Sequence, residues 1–75
     1  MRKPWLRVAE LDRVLVNLKT GTAIAGVLWQ QRRGLLILRN ATLYRPDGVT
    51  NDLDGDVLIE VDNVDFAQRL APPTA

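Results

Sequence analysis

From Arg13 to Leu70 the chain is a succession of short strand-like runs broken by turn signals, and no segment offers the apolar stripe of a long helix. This feature limits the fold more than any other. Val14, Val16 and Leu18 alternate with Arg13, Asn17 and Lys19, so one face of a first strand is apolar and the other polar. Thr20-Gly21 is a turn signal between strand-like runs. Thr22 to Gln31 resumes the alternation, with Ile24, Gly26 and Leu28 against Ala25, Val27 and Trp29. A glycine inside a strand marks a bulge or a sharp bend. Gln30 to Gly34 is a polar break, and Leu35 to Tyr44 is a second long strand opening on Leu35-Leu36-Ile37-Leu38. A run apolar on both faces implies burial on both sides, or a partner covering one of them.

Arg45 to Gly55 reads as the longest loop, with Pro46-Asp47-Gly48 as a turn. Asp56 to Val61 is a strand with Val57, Ile59 and Val61 on one face. Asp62-Asn63 is a corner, and Val64 to Leu70 is a last strand with Val64, Phe66, Gln68 and Leu70 on one face. The expectation is five strands and no helix long enough to cover them. A flat sheet of that kind exposes an apolar face and two edges. Closure into a small, strongly bent barrel hides both. The pattern divides the chain into an arm or short helix over 1–12, suggested by the spacing of Trp5, Val8, Ala9 and Asp12, a barrel over 13–70 and a disordered tail over 71–75.

A chain of 75 residues has room for one domain, and domains of this size are marginal alone. Cys and His are both absent, which excludes disulfides and a zinc site built from those ligands, and leaves self-association as the expected extra stabilisation. Without Cys, His or Ser the usual nucleophile–base pairs cannot be assembled, and no phosphate-cradling glycine motif or cofactor motif is present. The chain reads as a non-enzyme. Asp47, Asp52, Asp54 and Asp56 do not follow the order of a calcium loop. No run of apolar residues approaches a membrane span, and no signal peptide is read, so the setting expected from composition is cytoplasmic.

Net charge is +1, but its distribution is uneven: residues 1–45 carry +7 and residues 46–75 carry −6. One reading is two solvated surfaces of different sign. The sharper reading is a polar subunit whose basic side meets the acidic side of the next copy, a head-to-tail contact that closes as a ring or runs on as a filament.

The spacing Val14-x-Val16-x-Leu18-Lys19-x-Gly21, followed by Gly26-x-Leu28 and Leu36-x-Leu38-x-x-Ala41, resembles the first motif of the Sm-like family. Gly55-x-Val57-Leu58-Ile59-x-x-x-Asn63-Val64-x-Phe66 is similar to the second. The resemblance implies a bent five-stranded barrel. It also implies rings in which the fourth strand of one subunit pairs with the fifth of the next. That would place Val57, Ile59, Glu60, Val64 and Phe66 at an oligomer interface. In RNA-binding members the turn after the second strand carries an Asp and then an Asn, and the second motif offers Arg-Gly. Here Arg32, Leu35 and Glu60-Val61 stand in those places. A carboxylate there repels phosphate. A looser similarity, through Gly26-Val27-Leu28-Trp29, Arg32-Arg33 and Leu36-x-Leu38-Arg39-Asn40-Ala41, is to small Sm-like proteins encoded by phages of actinobacteria among virion structural genes. It is this similarity that makes a virion an expected setting.

Arg32, Arg33 and Arg39 are the candidate contacts for an anionic partner, against the plainer reading of solvated charges. Trp29 is a candidate base-stacking platform, against the plainer reading of a barrel or interface residue. Taken together, the sequence predicts a structural or assembly protein that binds copies of itself or other protein subunits, such as those of a phage particle. The alternative is a single-stranded RNA binder using the Arg32-Arg33 turn.

Overall fold

The computed structural model describes residues 11–70. The helix or arm expected over 1–12 lies outside the described residues except at Leu11 and Asp12, and so does the tail over 71–75. At those two positions the backbone is bonded to Leu28: Leu11 N–H donates to the Leu28 carbonyl at 2.8 Å, and Leu28 N–H donates to that of Asp12 at 3.0 Å.

Six strands form: β1 (Arg13–Leu18), β2 (Ala23–Arg32), β3 (Leu35–Tyr44), β4 (Thr50–Leu53), β5 (Val57–Glu60) and β6 (Val64–Arg69), with a short 3₁₀ turn at Val61–Asn63. All pairings are antiparallel, in the order β4-β3-β2-β1-β6, with β5 also on β3. The count of five is corrected by one. The stretch read as a long loop contains β4, which lies along Ala41–Tyr44, while β5 lies along Leu35–Leu38. The two are arms of one bent strand, broken at Asp54-Gly55-Asp56. The break falls beside the bend of β3, where Asn40 has φ 53°.

The bend has a cause in β2. Ala25 is opposite Thr42 and Val27 opposite Arg39, so Gly26 faces two residues of β3. A Cβ at position 26 would sit 3.0 Å from the Arg39 carbonyl oxygen and 3.1 Å from the Ala41 Cβ. Any larger residue would have to push β3 back by a few tenths of an ångström, so glycine suits this close approach.

Folding the sheet on itself buries Val14, Val16, Ile24, Leu28, Leu36, Leu38, Ala41, Ile59 and Val64 in one core, with Leu18, Leu43, Leu53, Val57, Val61 and Ala67 packed against it. The inward alternation read in β1 and at Leu36 and Leu38 of β3 is the one that forms this core. In β6 the alternation breaks. Leu18 pairs with Val64 and Asn17 with Phe66, so Asp65 is an extra residue, a bulge. The bulge reverses the facing of the residues after it. Val64 is buried, Phe66 is exposed and Ala67 packs inward, which corrects the single face expected for Val64 and Phe66. The barrel is also not sealed. Among the described residues β5 and β6 pair with β3 and β1 only, so each keeps one unpaired edge.

Candidate assembly edges and a basic turn

Hydrogen-bond alternation shows what the two edges present. Val61 N–H donates to the Gly34 carbonyl at 2.8 Å, so on β5 the main-chain groups of Val57 and Ile59 turn toward β3 and those of Leu58 and Glu60 turn away. Leu70 N–H donates to the Arg13 carbonyl at 2.8 Å, so on β6 the groups of Phe66 and Gln68 turn toward β1 and those of Ala67 and Arg69 turn away. Leu58 and Glu60 on β5 and Ala67 on β6 thus turn main-chain groups away from the strands they pair with.

Of the five residues expected at an interface, Val57, Ile59 and Val64 have side chains committed to the core, and only Glu60 and Phe66 are exposed. Leu58, at 60% exposure, is the apolar side chain on β5 that sequence reasoning passed over. Its alternation set it with Asp56 and Glu60, a face that reads as solvent. Phe66 is its counterpart on β6, at 52%.

The hairpin between β2 and β3 closes through Arg33-Gly34, with φ 50° and 78°. Positive φ at both positions is what a tight two-residue hairpin turn requires. Its backbone meets the 3₁₀ turn through the Val61–Gly34 bond, so the turns of the two sequence motifs come together. Arg32 and Glu60 both pair with Leu35, which makes Arg32–Leu35–Glu60 one row across the sheet. Arg32 and Arg33 are exposed, and among the described residues neither has an ion-pair partner.

Arg39 stands apart from that turn. Its Nε donates to Asp56 Oδ1 at 3.0 Å, and its guanidinium lies 3.8 Å from the Trp29 ring centroid. Arg39 thus covers one face of the Trp29 ring. An exposed cation–π contact and a half-exposed ion pair each contribute about 0.5–1 kcal/mol or less. Arg39→Ala is therefore expected to leave the fold intact, with a stability loss of about 1 kcal/mol. It should also change Trp29 fluorescence as the ring face opens. An unaltered emission spectrum in native buffer would count against the stacked arrangement.

The acidic loop has local uses for its carboxylates. Asp47 Oδ1 accepts from Val49 N–H at 2.9 Å, which holds the turn, and Asp52 Oδ1 accepts from Thr42 Oγ1 at 3.1 Å. Among the described residues no three acidic side chains gather to hold a metal ion. The two charge halves do not form opposite sides. The acidic β4 and β5 flank β3, and β6 flanks β1, so acid and base meet inside one chain at Arg39–Asp56 and, at 3.9 Å, Arg69–Asp12. The outer edges of β5 and β6 both belong to the acidic half of the sequence.

No family model matches this chain, and no curated protein matches it. Solved structures do. A heptameric archaeal Sm protein superposes with a TM-score of 0.77 at 24% identity, over 92% of this chain and 100% of that one. The SmAP1 heptamer of P. aerophilum gives 0.77 at 25% identity, over 91% and 90%. The Sm protein of Pyrococcus abyssii, solved in complex with a uridine heptamer, gives 0.77 at 24%, over 92% and 100%. A short all-antiparallel chain bent at Gly26 and Asn40, with its second-motif turn docked on the β2–β3 hairpin, therefore has the Sm-like fold.

Proposed function

We propose that this chain is a non-catalytic assembly module, in which the β5 edge of one copy pairs with the β6 edge of the next. The observation that carries this reading is the pair of edges on β5 and β6 that no described strand covers, each strand with an exposed apolar side chain, Leu58 on β5 and Phe66 on β6. Free edges of this kind either pair or aggregate. The repeated pairing is head-to-tail and closes as a ring when its rotation allows. Two of the structural neighbours are described as heptamers, which supports closure. Light scattering on the purified chain at high micromolar concentration tests the reading. Multiples of the 8.4 kDa chain are expected, and a monodisperse monomer would reject autonomous rings, leaving docking into a larger complex. The similarity to phage-encoded proteins is the whole support for placing that complex in a virion, and mass spectrometry of purified particles tests it.

A second reading, single-stranded RNA binding, rests on the exposed Arg32-Arg33 turn and on the neighbour solved with a uridine heptamer. Glu60 in the same row opposes it electrostatically. This reading predicts binding to short single-stranded RNA that falls steeply with salt, and no binding at roughly 50 mM salt would end it.

A further inference from the structure

The outer face of β2, β3 and β5 carries three rows of side chains. The first is Arg32–Leu35–Glu60. The second is Gln30–Ile37–Leu58. The third is Trp29, Arg39 and Asp56, joined by the cation–π contact and the ion pair. Trp29 reaches this face by alternation with buried Leu28, and because it is the extra residue between Leu28 and Gln30, Gln30 faces outward as well. Leu36 and Leu38 point the other way and are wholly buried, so the run Leu35-Leu36-Ile37-Leu38 is apolar on both faces and covered on one. Leu35 and Ile37 remain half-buried and Leu58 exposed, with Trp29 beside them. An apolar centre of this kind, rimmed by charge, marks an interaction surface.

The charges identify the occupant. In the first row a cation and an anion stand on opposite sides of one leucine. A two-fold axis laid along β3 sets Leu35 against Leu35 and Ile37 against Ile37. It also brings Arg32 of each copy over Glu60 of the other. The rim is thus complementary to itself, which is the requirement of an isologous contact. We propose that this face packs against the same face of a second copy, sheet on sheet, about 10 Å apart. The contact is separate from the edge pairing of β5 with β6. If both form, two rings stack face to face.

Native mass spectrometry with light scattering tests this in the full chain. The wild type should hold an even number of copies. Arg32→Glu, which lies on β2 away from both free edges, should halve the mass, because a ring repeats the lost contact once per subunit. The double variant Arg32→Glu/Glu60→Arg should restore the wild-type mass. An Arg32→Glu mass equal to the wild-type mass overturns the proposal. So does a double variant that stays at half mass. A wild type of just two copies that Arg32→Glu turns into a monomer supports the face contact while rejecting the ring, so the two readings fail separately.

Discussion

Gly26→Val is expected to destabilise this domain by about 3 kcal/mol, at the upper end of overpacking, with Gly26→Ala costing about 1–3 kcal/mol. A Cβ at this position meets the Arg39 carbonyl and the Ala41 Cα at 3.0 and 3.2 Å, and both are backbone atoms of the central strand β3. They cannot swing aside as a flexible side chain can. β3 is paired on both sides at the bend, to β2 and to β4, so any retreat strains two ladders. Domains have about 0.05–0.15 kcal/mol of stability per residue, so a chain of this length has roughly 4–11 kcal/mol in total and the loss takes a large share of it. Urea unfolding followed by circular dichroism, at one fixed protein concentration because association adds stability, measures it. A valine variant with the wild-type midpoint would show that the bend does not depend on this close approach.

That bend was legible before the structure. Gly26 stood in an otherwise continuous strand pattern, and a chain without a covering helix has to curl its sheet somewhere. The core was legible for the same reason: Val14, Val16, Leu36 and Leu38 repeat with the period of a strand, and all four point inward. β4 was not legible. Thr50-Asn51-Asp52 has three polar residues that lie exposed, and only Leu53 reaches the core, so no periodicity could form. Its place is set by pairing with β3, a tertiary contact that outweighs weak strand propensity. The facing of Phe66 was not legible either. Alternation is a parity argument, and one bulged residue at Asp65 inverts everything after it.

The candidate site divides along the same line. Arg32, Leu35 and Glu60 were read as occupying corresponding places in two motifs, and the sheet register puts them in one row. The link between Arg39 and Trp29 was not legible, because alternation gives the face of a residue and not its neighbour across the ladder, and the β2–β3 register shifts at Trp29. The uneven charge of the two halves suggested opposite faces, but a fold of antiparallel hairpins interleaves distant segments. Sequence blocks of one sign become neighbours across a ladder. The proposed edge pairing of β5 with β6 would therefore join two strands from the acidic half, which carry Glu60 on one side and Asp65 and Arg69 on the other. Its strength must come from main-chain bonds and from Leu58 and Phe66, and it should hold or tighten as salt screens the carboxylates.

Ala67→Pro is expected to abolish that edge contact while leaving the barrel folded. The Ala67 N–H points away from β1, so the ring of a proline at 67 projects outward and no β1–β6 bond is lost. Proline is accepted on an edge strand at such a position. A neighbour's strand, however, would lose the donor at the centre of its ladder and meet a bulky ring in its place. One lost hydrogen bond costs about 1 kcal/mol, and the steric block adds to it at every subunit boundary, so a ring that needs every contact should fall apart. Light scattering should then find species of two copies, held by the β2-β3-β5 face. Adding Arg32→Glu should reduce these to the 8.4 kDa chain. Thermal unfolding by circular dichroism, run at the same concentration, separates loss of assembly from loss of fold. An Ala67→Pro protein that keeps the full wild-type assembly would mean that β6 is not the edge through which copies join.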